Sequence, residues 1–244
     1  MTPPAEQSCE PRTGVRARAA AALTVAAVCA LTGCATKNGG AAPPDIAAPA
    51  VEVSGADLET LLLDDADIAR LTDAPGLRTV ETYAQIPDPD GRTYSDAVCG
   101  AAISSATTTT YPGGDVTGVR GHRLNDGVDT AAPRTRSVDQ AVIAFPAASG
   151  AREFVAAART GWASCAGAGV ETRDTAAATL WRVGQPRYTD GVLSVTATHA
   201  SGWATEHALA AAGGVVIDVS VTSADAGADR ASTIARSIAS RIAQ

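Results

Sequence analysis

The cleanest alternation of apolar and polar positions runs through residues 203–222, WATEHALAAAGGVVIDVSVT. Two runs of apolar and β-branched residues meet at Gly213-Gly214, and a Gly-Gly pair in that setting predicts a hairpin closed by a two-residue turn. The numbers of facing residues then sum to 427, so Leu209 opposes Asp218, His207 opposes Ser220 and Thr205 opposes Thr222. Side chains alternate faces along a strand. Ala208, Ala210, Val215, Ile217, Val219 and Val221 therefore share an apolar face, and His207, Asp218, Ser220 and both threonines share the other. The first face is core, and the second is where chemistry would sit.

The same reading extends along the chain. Residues 57–63 form a Leu-rich helical turn, and Asp64 caps a second helix carrying Ile68 and Leu71. A strand at 77–86 leads into PDPDGRTYSD, a stretch of turn chemistry, and Asp96 caps a helix holding Cys99, Ile103 and Ala106. The threonines at 107–110 read as the polar end of that helix, with glycosylation as the rival account. Strands are expected at 116–124 and 137–145, the second a dense VDQAVIAF stopped by Pro146. At 147–165 the spacing of Phe154, Val155, Ala158 and Trp162 predicts a helix. A glycine-rich link, strands at 180–183 and 192–198, the hairpin, and an amphipathic helix at 229–242 complete the chain. Regular βαβ alternation is missing, so the expected fold is α+β: a single domain with an antiparallel sheet and flanking helices.

Composition narrows the function classes. The formal net charge of the 244 residues is -7, with 45% hydrophobic and 4% aromatic residues. Such a core is built from small side chains. Residues 1–33 hold three Arg and two Glu, so residues 34–244 carry 16 basic and 24 acidic side chains. That balance argues against a nucleic-acid partner and against a polybasic membrane patch.

The N-terminal 33 residues read as an export signal, with Arg16 and Arg18 ahead of an apolar run at 19–31 that is short for a membrane span. Leu31-Thr32-Gly33-Cys34 matches a bacterial lipobox, which marks Cys34 for diacylglyceryl transfer and makes the lipid-bearing outer face of the plasma membrane the expected location. Residues 34–53, rich in Ala, Gly and Pro, read as a tether, and 54–244 as the folded domain. Cys9 and Cys29 leave with the signal. Cys99 and Cys165 then remain for an oxidising compartment and are expected to form one disulfide between two helices; two cysteines without spaced histidines make a poor zinc set.

The order LETLLLDDADIARL, SDAVCGAA, Tyr111-Pro112-Gly113-Gly114, VDQAVIAFPAASGAREF, GWASC, LWRVG, GWATEHALAAAGGVVIDVSV and IARSIASRI resembles the PknH-like extracellular sensor domain family, over about residues 56–243. That family occurs at the outer end of a mycobacterial serine/threonine kinase and in related exported lipoproteins. The resemblance implies a compact α+β domain with a cleft for an unidentified ligand and no catalysis. It also implies a departure: the family's last hairpin carries a bridged cysteine pair, and here those positions align with Thr205 and Thr222. The hairpin register puts the same two residues opposite each other at a non-hydrogen-bonded pair, where Cα atoms approach to about 4.5 Å.

Candidate chemistry is sparse. His122, His199 and His207 have no ligand spacing, and no GxSxG, SxxK or Cys-His pattern supplies a nucleophile. Asp64-Asp65 and Asp88-Asp90 sit at a helix start and in a turn. Trp162, Trp181 and Trp203 are expected to pack in the core or at a rim. His207 and Asp218, diagonal neighbours on the hairpin's polar face, are the ligand-binding candidates, against the plainer reading of a solvated cross-strand ion pair. The expectation is therefore a lipid-anchored, non-catalytic, sensor-like binding domain with no cofactor or metal. Its partners would be the membrane, an envelope or small-molecule ligand, and a membrane protein to carry a signal inward. An envelope hydrolase, betrayed by paired carboxylates with shifted pKa values, and a structural or adhesive surface protein are the alternatives.

Overall fold

The computed structural model of the chain describes residues 55–89, 91–113, 115–127, 135–174, 177–225 and 229–243. The export signal, Cys34 and the tether lie outside the described residues. In chain order the elements are α1 (Gly55–Leu61), α2 (Asp65–Thr72), β1 (Arg78–Tyr83), β2 (Thr93–Tyr94), α3 (Ala97–Ala101), β3 (Gly118–Asn125), β4 (Arg136–Ala144), α4 (Ala148–Ser164), β5 (Gly169–Arg173), β6 (Ala178–Val183), β7 (Arg187–Thr189), β8 (Val192–His199), β9 (Ala204–Ala212), β10 (Val215–Ser223) and α5 (Arg230–Ile242). The strands make one antiparallel sheet in the order β1-β3-β4-β10-β9-β8-β6-β5-β2, with β7 paired to β8. The sequence expectation of an α+β fold thus holds.

The hairpin forms the middle of this sheet in the register that its Gly-Gly turn predicts, with Thr222 opposite Thr205 and Ser220 opposite His207. Gly213 opens the turn at φ +56°, a backbone conformation that costs a side-chain-bearing residue. Burial of two apolar faces makes three layers. On one face Ile217, Val219 and Val221 meet Ile234 and Ile238 of α5 and Leu58 and Ile68 of α1 and α2. On the other Leu209, Val216 and Ile143 meet Val155 and Trp162 of α4. Polar side chains fix the helices to the sheet. Buried Gln140 of β4 accepts from Leu63 N–H at 3.1 Å and donates to Leu63 C=O at 2.7 Å. The Glu206 carboxylate of β9 accepts from Ala231 N–H at 3.1 Å, so it caps α5 from another strand and complements its dipole.

Local capping agrees with the sequence in places and departs from it in others. Asp64 and Asp96 accept from Asp67 N–H and Cys99 N–H at 2.8 and 2.9 Å. The helix begun at Asp96 ends at Ala101, however, so Ile103 and Ala106 lie beyond it and the threonines at 107–110 are not a helix end. Residues 102–111 instead turn across the sheet, with Ala106 at φ +45°. Thr107 and Thr110 are buried there, the first pairing with Ser104 Oγ at 2.8 Å and the second bonding the Ser104 carbonyl. The expected glycine-rich link contains β5, and the expected loop at 87–96 contains β2. β2 is an edge strand made by pairing with β5, some 80 residues away, and β5 lies between β2 and its chain neighbour β6, so neither stretch shows a clear period of its own.

Candidate functional site

His207 and Asp218 meet, but not at a surface. Both are fully buried, and His207 Nε2 lies 2.8 Å from Asp218 Oδ1. The solvated ion pair that was the plainer reading of the sequence is therefore corrected to a buried hydrogen-bonded pair, and the pair as placed has no open side for a ligand. The cause is the 102–111 segment, which lies directly over it. His207 Nδ1 faces the Ala102 carbonyl at 3.2 Å, so both ring nitrogens have an oxygen within hydrogen-bond distance. Asp218 Oδ2 accepts from Ala106 N–H and Tyr111 O–H, each at 2.9 Å. Ser105 and Ser220 share a hydrogen bond of 2.7 Å. Trp162 packs against the His207 ring at 4.6 Å between centroids, so this tryptophan is core, as expected. The pair holds down a strap of backbone whose polar groups would otherwise be unpaired in the interior.

A second polar group continues across the strands. Asp139 of β4 stands opposite both Ser220 of β10 and Arg123 of β3. Its carboxylate accepts from Tyr83 O–H at 2.6 Å and from Arg123 Nε at 3.2 Å, and Arg123 also pairs with Glu81 at 2.9 Å. Tyr83 reaches this position because its ring lies over Gly121, where a Cβ would stand 2.1 Å from the ring. Burial pushes the Asp139 carboxyl up to about 6, although Tyr83 and Arg123 favour its charge; nearby Asp218 adds to the rise. Burial likewise raises the Tyr83 and Tyr111 hydroxyls, each beside its own aspartate.

Beyond the strap the same face of the sheet is open. Ser137, Ser220, Thr205 and Thr222 line its floor, with Thr222 Oγ1 donating to Thr205 Oγ1 at 2.9 Å. Two adjoining depressions of about 320 and 390 Å³ share Thr205, Thr222 and Ser137 as floor and Arg92, Tyr94 and Ile103 as wall. At one end stand Asp139, Arg123 and Glu81, and at the other Trp181, Trp203 and His199. Both tryptophans are half-buried, and the Trp181 ring lies 5.5 Å from His199. These are rim positions, as expected. Hydroxyls, a guanidinium and aromatic edges make a surface suited to a polar, hydrogen-bonding ligand.

The remaining residues singled out from sequence fall elsewhere. Cys99 and Cys165 form the disulfide, joining α3 to the end of α4. His122 bonds Glu59 on the opposite face of the sheet at 2.8 Å. Among the described residues no three His, Cys, Asp or Glu side chains gather as metal ligands would, and no helix is long and apolar enough to cross a membrane. Sequence reading passed over Tyr83, Arg92, Arg123, Tyr111 and Asp139. For Asp139 there was a signal: it is a charged residue in VDQAVIAF, on the parity of the strand opposite to Val138, Gln140 and Val142.

The arrangement matches known proteins. The PknH-like extracellular domain family matches residues 53–241. Serine/threonine-protein kinase PknH of Mycobacterium bovis is 27% identical over 173 residues, which is 70% of this chain and 28% of the kinase. The kinase of the same name from Mycobacterium tuberculosis gives the same identity over 27% of its length. This chain therefore spans little more than a quarter of the kinases it matches. The crystal structure of the extracellular domain of PknH from M. tuberculosis superposes with a TM-score of 0.72 at 25% identity, covering 78% of this chain and 97% of that domain. The chain belongs to the PknH-like extracellular domain family.

Proposed function

We propose that this protein is a lipid-anchored, extracytoplasmic, non-catalytic binding module, and that its ligand occupies the cleft floored by Thr205, Thr222, Ser137 and Ser220. The carrying observation is that floor: a row of hydroxyls on a rigid central sheet, walled by Arg92 and Tyr94 and ended by two half-buried tryptophans. Membership of a family of extracellular domains supports the location, and the lipobox at Cys34 supports the anchor. Signalling would pass through a membrane-protein partner, to which the module presents or withholds its ligand.

Paired acids with a shifted pKa would favour a hydrolase, and Asp139 and Asp218 are such a pair by position. Asp218, however, is fully buried with its oxygens taken by His207, Ala106 and Tyr111, so only Asp139 borders the cleft. That pair therefore supplies the cleft with one of the two working carboxylates such a mechanism needs; the other acids of the lining are Glu81, which is paired with Arg123 at 2.9 Å, and Asp174.

The test is native mass spectrometry of the full chain isolated from its own envelope, beside a Thr222→Arg variant whose long cation fills the floor. A non-protein mass carried by the wild type and missing from the variant is expected. A wild type with no bound mass, or equal loading of both, would refute the cleft as the binding site. Incorporation of labelled palmitate into the wild type but not into Cys34→Ala tests the anchor.

A further inference from the structure

A third depression, of about 760 Å³, opens on the other side of the wall formed by Arg92 and Tyr94. It runs between α3, the 108–112 turn and α4, and its character differs from that of the hydroxyl cleft. Its depth is aromatic: Tyr111 and Phe154 stack with centroids 4.6 Å apart, and Trp162 lies beyond them. Its α4 side is built from small residues, Ala157, Ala158 and Gly161, so the groove stays unfilled. Val98 of α3 stands at the lip with 52% of its surface exposed. The Cys99–Cys165 bridge fixes α3 against the end of α4, so the groove's two sides are covalently joined. Its volume is that of a ligand pocket, typically about 300–1,000 Å³.

Charge decides the occupant. Among the described residues no carboxylate lines the groove, its one charged lining residue is Arg92, and Arg92 makes no ion pair. Arg92 and Tyr94 also line both parts of the hydroxyl cleft. An apolar arm and a polar arm thus converge on one unpaired, exposed guanidinium. We propose that the apolar groove binds the acyl chain of an anionic amphiphile, whose carboxylate or phosphate is held by Arg92 and whose remaining polar part points into the hydroxyl cleft. Only that last direction rests on the cleft being a ligand site; the acyl groove stands on its own lining. Each methylene moved from water into such a groove adds binding free energy, so affinity should rise with chain length, and a bidentate guanidinium fixes the end that stays wet.

The probe is cis-parinaric acid, a fluorescent anionic fatty acid, titrated into the full chain. Energy transfer from tryptophan, with Trp162 at the groove, reports its arrival. One saturable site, displaced by palmitate, is expected. Ala157→Trp places a large ring in the groove from an exposed helix position and should weaken binding at least tenfold, while far-ultraviolet circular dichroism and the thermal midpoint stay unchanged. Arg92→Gln should weaken binding of the anionic probe about five- to tenfold yet leave displacement by neutral hexadecanol unaltered. Displacement by phosphatidylglycerol vesicles but not by monomeric palmitate would assign the head group to membrane phospholipid, and the reverse to a free fatty acid. Absence of saturable binding, equal binding by Ala157→Trp, or a wild-type dimer that Ala157→Trp dissolves and parinaric acid leaves intact would each overturn the proposal, the last naming a second copy as the occupant. Should those results arise while Thr222→Arg still strips a mass that Ala157→Trp retains, the acyl site falls and the hydroxyl cleft stands.

Discussion

Replacing Thr205 and Thr222 together by cysteine tests the hairpin register at its most demanding point. The two residues are directly paired, their hydroxyls 2.9 Å apart, eight residues from the turn on each side. Alternation from the hydrogen-bonded Ala212-Val215 pair makes this a non-hydrogen-bonded position, where the Cα separation of about 4.5 Å falls within the range disulfides accept. A bridge there would close an 18-residue loop and, by loop-closure entropy, stabilise the fold by about 3 kcal/mol. Loss of the threonine pair offsets about 0.2–1 kcal/mol of that. The net of about 2–3 kcal/mol corresponds to a rise of roughly 4–12 °C in the thermal midpoint of a domain this size. The assay is thermal unfolding of the oxidised double variant against oxidised wild type, with thiol titration to prove closure and the two single cysteine variants to isolate the side-chain exchange. Native Cys99–Cys165 stays intact in every sample, so it cancels. Two thiols that remain titratable after oxidation of a folded protein would refute the register. A bridge that forms without raising the midpoint would refute the claim that the hairpin's freedom in the unfolded chain limits stability.

Other outcomes rest on the buried groups. Asp218→Ala leaves His207, Ala106 N–H and the Tyr111 hydroxyl without their acceptor, and should cost about 3–5 kcal/mol in urea unfolding; a loss below about 1 kcal/mol would mean the strap is held otherwise. Asp139 has a folded pKa raised to about 6, so its contribution is fully present below the unfolded value near 4 and is lost as pH rises through 6. The stability of wild type relative to Asp139→Asn should therefore fall by roughly 2 kcal/mol between pH 4 and pH 7, and a difference constant with pH would contradict the burial argument. Removing the Cys99–Cys165 bridge by a Cys99→Ala, Cys165→Ala double substitution opens a 67-residue loop and should cost about 4 kcal/mol, read as a lower urea midpoint. Gln140→Leu, close in volume, strands both backbone groups of Leu63 and should cost about 2–4 kcal/mol in the same assay.

What the sequence disclosed and what it withheld divide along the range of the interactions. The hairpin register, the Asp64 and Asp96 caps and the apolar stripe of α5 depend on neighbours within a few residues, or on one tight turn, and each emerged as expected. The disulfide came from counting cysteines. The position of His207 and Asp218 was not legible in the same way, although their register was right. Exposure of a strand face is decided by whatever lies above it, and the cover is the 102–111 strap, whose course depends on Ala106 at φ +45° being held by a carboxylate 112 residues away. The cleft was equally illegible: its floor needs the β4–β10 pairing to bring Ser137 beside Thr222, and its wall needs the two-residue edge strand that carries Tyr94.

That division bears on how the site is built. The strap separates one sheet face into a sealed half and an open half, and the side chains holding it come from the same strands as the cleft floor. Asp218 and Ser220 of β10 alternate with core residues: the first anchors Ala106 and Tyr111, while the second pairs with Ser105 and borders the cleft. Two residues further on, Thr222 lies in the floor. Tyr111 serves twice as well, its hydroxyl on Asp218 and its ring stacked on Phe154 in the apolar groove. A displacement of the strap would therefore alter both arms at once. The resemblance places a bridge in relatives where Thr205 and Thr222 stand. A bridge there would stiffen the floor and remove two hydroxyls from it; the threonine pair gives up the cross-link and keeps the Thr205 proton free to donate upward, because Thr222 is the donor within the pair. Within this fold, the exchange of a cross-link for hydroxyls changes what the cleft floor can hydrogen-bond.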